Sequence, residues 1–143
     1  MLPVERGLIL LAAPEADPSA VAEFWRTCLR QLPGLAGLPQ PEAWAFGDSV
    51  AMANELASLV VEGRKRATAG LLAEYKAEGE PLPQLGDLSI VIDGSGAPAC
   101  LIRTTDVRVG PLESVDEQFA WDEGEGDRTR EGWLAEHRGS STE

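Results

Sequence analysis

The chain has 143 residues, enough for one domain with a real core, and its 43% hydrophobic and 25% charged content is that of a globular protein. A net charge of −12 opposes non-specific binding to nucleic acid, because phosphates would be repelled at long range. No window approaches the run of about 20 apolar residues that a membrane span requires. Gly7–Ala13 is apolar but short, and it lies between Glu5-Arg6 and Pro14-Glu15, so a signal peptide is not expected. Cys28 and Cys100 are far apart, neither belongs to a C-x-x-C pair, and His137 is the one histidine. No metal site or cofactor is therefore expected, and free thiols in a cytoplasmic protein are the simplest reading.

Asp17–Leu32 reads as a helix. Asp17 can cap it, Pro18 suits its first position, and Val21, Phe24, Trp25, Cys28 and Leu29 share one face. After the Gly- and Pro-rich loop 34–41 comes Trp44-Ala45-Phe46-Gly47. Asp48 or Ser49 then caps a second helix running to about Glu62, with Met52, Leu56, Leu59 and Val60 on its buried side. Gly63 fits the left-handed position past its end. Ala69–Ala77 is a candidate short helix, and Gly79–Leu85 a loop. Asp87–Ile92 and Ala97–Val109 read as strands joined at Asp93-Gly94-Ser95-Gly96, a hairpin signal. Ser114-Val115-Asp116-Glu117 resembles a capping box for a short helix through Trp121. Gly124 and Gly126 break that helix, and Thr129–Arg138 forms the last one with Asp127 as a cap. The expected architecture is α+β with a modest antiparallel sheet.

Two stretches carry candidate chemistry. Gly63-Arg64-Lys65-Arg66-Ala67-Thr68 sets three cations and a hydroxyl together in an acidic chain. A lysine near a helix end and among cations can act as a base or an anion clamp, although a solvated basic turn is the simpler reading. Thr68 is a candidate nucleophile or substrate ligand, or else an ordinary strand or capping residue. In Glu123-Gly124-Glu125-Gly126-Asp127 the glycines let a carboxylate turn inward, or leave an acidic surface loop. Trp44, Phe46, Trp121 and Trp133 are core candidates, and a tryptophan lining a pocket could stack on a base. His137 reads as a surface residue favoured by the end of the last helix.

Taken in order, these motifs resemble the ASCH domain family, a branch of the PUA-like superfamily. The resemblance is carried by Trp44–Asp48, Glu55–Val60, Gly63–Thr68, Pro83–Asp87, Asp93–Pro98, Ile102–Val107, Phe119-Ala120, Glu123–Asp127, Trp133 and His137. It implies a small PUA-like β-barrel flanked by helices, a single domain over 1–143 with a helical extension at 1–42 and a frayed tail at 139–143. It also implies RNA or a modified nucleoside as partner. Short members remove the acetyl group from N4-acetylcytidine with a lysine, a threonine and a glutamate, and longer members include proteins reported to cleave RNA. Carried over, Lys65, Thr68 and Glu123 are the catalytic candidates, with Glu125 the alternative glutamate. Arg64, Arg66, Arg103, Trp44, Glu125, Asp127 and Thr129 are the substrate-binding candidates, Thr129 standing where longer members commonly have serine. The expected activity is metal-independent hydrolysis of RNA or of N4-acetylcytidine, and the alternative is a non-catalytic RNA-binding module that regulates translation or transcription. Relatives usually continue past the His137 region into a final strand. Three outcomes are accordingly open: the barrel is left open there, it is closed by the apolar Gly7–Ala12 segment, or it is completed by a neighbouring chain, the last giving a homodimer.

Overall fold

The computed structural model describes residues 14–70 and 72–141. They fall into two compact units, one of residues 14–61 with Gly86–Arg103, the other of Glu62–Leu85 with residues 104–141. The expectation that Gly7–Ala12 closes a barrel lies outside the described residues.

In the first unit, α1 (Pro18–Gln31) starts where the Asp17 carboxylate accepts from the Ser19 and Ala20 amides at 3.1 and 3.3 Å. This satisfies donors that the first helical turn leaves free. Val21, Trp25 and Cys28, spaced four and three residues apart, are buried on one face. Three strands follow: β1 (Glu42–Trp44), β2 (Leu88–Ile92) and β3 (Pro98–Arg103), in the order β1-β2-β3. β2 and β3 pair antiparallel through the expected hairpin, and the Asp93 carboxylate accepts from the Ser95 and Ala97 amides within that turn. β1 pairs parallel to β2, with Ala43 opposite Ile90.

β2 is central and buried on both faces, as Ile90, Val91 and Ile92 show. Ile90 and Ile92 join Val21, Trp25, Cys28 and Leu35 in one core. The fully buried Ile90 and Ile92 each contribute roughly 1.5–3 kcal/mol by leaving water. α2 (Val50–Val61) packs on β2 and β3 and buries Ala53, Leu56 and Ala57. The Ser49 hydroxyl accepts from the Met52 amide at 3.1 Å, a side-chain cap at the helix start. Met52 itself is exposed, contrary to expectation.

The expected closed barrel is not present among the described residues, which form an open, mixed three-stranded sheet. The long second strand expected through Val109 stops at Arg103, where its ladder with Leu88 ends. β1 was not foreseen. It is three residues long, too short to show alternation, and its parallel pairing requires a long crossover that local pattern does not reveal.

In the second unit, α3 (Leu72–Glu78) buries nothing, whereas α4 (Glu117–Glu123) and α5 (Arg130–Ser141) pack together. Ala120, Trp133 and Leu134 form their core, with Leu112, Val115 and Phe119 against it. Asp116, rather than Ser114, caps α4, accepting from the Phe119 amide at 2.8 Å. Thr129, rather than Asp127, caps α5 by accepting from the Gly132 amide at 3.0 Å. The Glu117 carboxylate adds a second acceptor for the α5 start, taking the Arg130 amide at 3.2 Å. The helix runs through Ser141, past Arg138, where its end was expected.

Candidate functional site

The site lies in the second unit and is built where residues 64–67 meet the end of α4. The amides of Arg66 and Ala67 both donate to the Asp122 carbonyl, at 2.5 and 2.9 Å. That carbonyl is one of the acceptors a helix leaves open at its C-terminal end. Gly124 ends the helix in the left-handed conformation, φ +73. Its Cα also packs directly on the neighbouring backbone, where a Cβ would stand 2.5 Å from the Arg64 carbonyl oxygen and 2.9 Å from the Lys65 Cα. Glycine is required there on two counts.

This docking carries Lys65 inward. Its side chain is 2% exposed, and its ammonium donates to Glu125 Oε2 at 2.7 Å, the Ala67 carbonyl at 2.9 Å and the Glu123 carbonyl at 3.4 Å. A buried cation needs such a set of partners to offset its lost hydration. Glu123 is also buried, at 6% exposure, but the carboxylate bonded to Lys65 belongs to Glu125. Burial pushes the Glu123 carboxyl above its ordinary value. Lys65 opposes the rise, Glu125 adds to it, and His137 and the Trp133 indole N–H oppose it further.

Trp133 forms the next wall. Its ring meets Phe119 edge-on at 5.8 Å and stacks on His137 at 3.9 Å, 15° from parallel. The His137 Nδ1 lies 2.9 Å from the Trp133 carbonyl, which places a proton on that nitrogen. The indole nitrogen is buried without a hydrogen-bond partner among the described residues. It approaches the Glu123 carboxyl closely enough to favour the anion, yet without hydrogen-bond geometry. A pocket of about 260 Å³ is lined by Glu123, Glu125, Gly126, Asp127, Gly132, Trp133 and Glu136. The Thr129 hydroxyl and amide hold the Asp127 carboxyl below its ordinary range, so this wall stays anionic. Lys65 sits behind Glu125 and is not part of the lining.

A cationic shelf lies beside this pocket. Arg66 pairs with Asp122 at 3.0 Å, and Arg128 places its guanidinium 3.6 Å over the ring of Trp121, which is 51% exposed. Arg128 holds a left-handed backbone, φ +63, and donates to the carbonyls of Trp121 and Arg64 at 2.9 and 3.4 Å. Incomplete hydration, then the charges of Arg64 and Arg66, push its acidity up, the sign of three guanidinium groups sharing one surface.

Of the residues expected from sequence, Lys65, Glu123, Glu125 and Asp127 come together, with Arg64 and Arg66 on the shelf nearby. Thr68 is exposed and bonds to no other described residue. The Thr129 hydroxyl is engaged as the α5 cap. Trp44 and Arg103 belong to the first unit, where Trp44 packs edge-on against Phe46 at 4.8 Å and Arg103 ends β3. Trp133, Trp121 and Arg128 were not singled out as ligand contacts. The spacing of Trp133 and His137, four apart on one helix, was the available signal. Among the described residues no group of three His, Cys, Asp or Glu side chains is arranged to hold a metal, and no helix is long and apolar enough to cross a membrane.

The fold and this buried lysine–carboxylate pair define a mixed helix-and-sheet protein with an acidic pocket at a helix end. The model of the ASCH domain matches residues 42–140, and the chain belongs to that family. The protein EF3133 from Enterococcus faecalis V583 has a crystal structure similar to this one, with a TM-score of 0.75 and 40% identity over 85% of this chain and 72% of that one. The ASCH domain from Lactobacillus crispatus JV V101 is also similar, with a TM-score of 0.75 and 31% identity over 86% of this chain and 79% of that one. No curated protein matches.

Proposed function

We propose that the chain binds RNA or a modified nucleoside and hydrolyses the base amide of N4-acetylcytidine. The observation carrying this reading is the buried Glu123 carboxyl, held above its ordinary acidity range at the wall of a pocket and backed by the Lys65–Glu125 ion pair. A carboxyl that takes up a proton easily can accept one from an attacking water and return it to the departing N4 amine, leaving acetate and cytidine. Lys65 holds the Glu125 carboxylate in place through their 2.7 Å ion pair. The pocket's carboxylates favour a neutral base over a phosphodiester, which makes amide hydrolysis the better fit than RNA cleavage. Phosphates would instead meet Arg64, Arg66 and Arg128. Thr68, being exposed, is assigned to ligand contact rather than attack.

A second reading, a non-catalytic module, is favoured by one observation: the Lys65 ammonium already donates to three acceptors within the protein, so it supports the structure of the site instead of reaching a substrate. Incubation with N4-acetylcytidine separates the two. Release of cytidine that falls a hundredfold or more in Glu123→Gln supports the hydrolase. Binding without release, lost in Lys65→Ala, would leave the module.

A further inference from the structure

We propose that Trp133 is a ligand-binding residue of the acidic pocket, its indole N–H donating to the carbonyl oxygen of a neutral amide held there. The inference rests on the nucleoside reading of the same pocket and adds to it the donor that an amide needs. Trp133 is only 8% exposed, it lines the pocket, and its N–H, although near the Glu123 carboxyl, makes no hydrogen bond of good geometry among the described residues. A buried donor left unmade is costly, and phenylalanine would fill the same core without that penalty. Its ring is held from two sides, edge-on by Phe119 and face-on by His137, so the donor's direction is fixed before anything binds.

The chemistry of the acceptor follows from the surrounding charge. Glu123, Glu125, Asp127 and Glu136 line the same space, so an anionic acceptor such as phosphate is opposed. A carbonyl oxygen is the neutral acceptor that an N–H binds best, and the carboxylates can take the amide's own N–H. The other strong donor nearby, Lys65, is already engaged by Glu125 and two backbone carbonyls. In amide hydrolysis the indole would also face the oxygen on which negative charge develops.

The test is titration of the 15N-labelled protein, following the indole N–H resonances of its four tryptophans, with Trp133 assigned by Trp133→Phe. N4-acetylcytidine is compared with N4-ethylcytidine, in which a methylene replaces the carbonyl, and with N-methylacetamide. The expected result is a downfield shift of the Trp133 resonance with both carbonyl compounds, and binding of N4-acetylcytidine about tenfold tighter than N4-ethylcytidine. That preference should vanish in Trp133→Phe, and also when benzothienylalanine replaces Trp133, which exchanges N–H for sulfur in a ring of equal size. If the amides of Glu125 and Gly126 move while the Trp133 indole does not, the inference is overturned and the pocket reading survives. If N-methylacetamide moves the indole but N4-acetylcytidine binds nowhere, the nucleoside reading fails and the donor assignment stands. Silence to both compounds overturns both.

Discussion

The ammonium of Lys65 donates to the Glu125 carboxylate at 2.7 Å and meets Glu123 at its backbone carbonyl, 3.4 Å away. The two charged partners are unequally buried, at 2% and 33% exposure. Removing the glutamate strands a desolvated cation, whereas removing the lysine leaves a carboxylate that can hydrate. Glu125→Gln should therefore lower stability by about 2–3 kcal/mol, and Lys65→Met by about 1 kcal/mol. Urea unfolding of both variants at neutral pH and fixed salt gives the comparison. Equal losses would mean that the cation is hydrated in solution.

Gly124 and Gly126 provide a matched pair. Both are left-handed, at φ +73 and +63, but an added Cβ at Gly126 has nothing within 4 Å, while at Gly124 it would press on the Arg64 carbonyl. Gly126→Ala should cost about 1–2 kcal/mol from backbone conformation alone. Gly124→Ala should cost a further 1–3 kcal/mol or so, because the Arg64–Lys65 backbone must move away. Thermal unfolding should rank them in that order.

Glu123 makes the fold sensitive to pH. Its folded-state value is raised from 4.5 by burial, with Glu125 adding and Lys65 and His137 opposing. The unfolded chain therefore releases this proton first as pH rises. The stability tied to the protonated carboxyl is full below 4.5 and is lost as pH climbs through the raised value. Glu123→Gln keeps the neutral shape and removes the titration. The variant and native protein should unfold alike in acid, and the variant should gain relative stability above that range. A parallel pH course for the two would show that Glu123 is not burdened by ionisation.

The residues that meet at the candidate site stand out in the sequence more than the architecture around them does. Arg64-Lys65-Arg66 stands out because the chain is acidic, and Glu123–Asp127 because glycines separate its carboxylates. Which glutamate meets Lys65 is settled by the left-handed turn at Gly124, which leaves the Glu123 side chain buried and swings Glu125 onto the ammonium. A one-residue alternative of that kind depends on backbone dihedrals, and residue types alone do not supply them. The helices followed from caps and periodicity, as at Asp17 and Gly63. The sheet did not, since β1 is three residues long and its partner β2 lies beyond a long crossover. The four-residue spacing of Trp133 and His137 marks a shared helix face, but the unpaired indole N–H is not legible from it, because core and pocket tryptophans share one periodicity.

The shelf of Arg64, Arg66 and Arg128 should make RNA binding depend on salt in a residue-specific way. Each phosphate neutralised by an arginine releases condensed counterions, and for single strands this contributes a slope of roughly 0.7 in log K against log salt. Arg64 is the cleanest probe, because it is exposed and its side chain bonds to no described residue. Arg66 is tied to Asp122, and Arg128 also supports the backbone through the Trp121 and Arg64 carbonyls. Arg64→Ala should therefore reduce the slope by about one phosphate's worth while leaving thermal stability unchanged. Arg128→Ala should reduce it similarly and also destabilise, since it removes a helix-end donor and the cover over Trp121. Fluorescence anisotropy of a labelled single-stranded RNA, from about 50 to 200 mM salt, measures the slope. An unchanged slope in Arg64→Ala would remove this surface from RNA binding and leave the acidic pocket to act on free nucleosides.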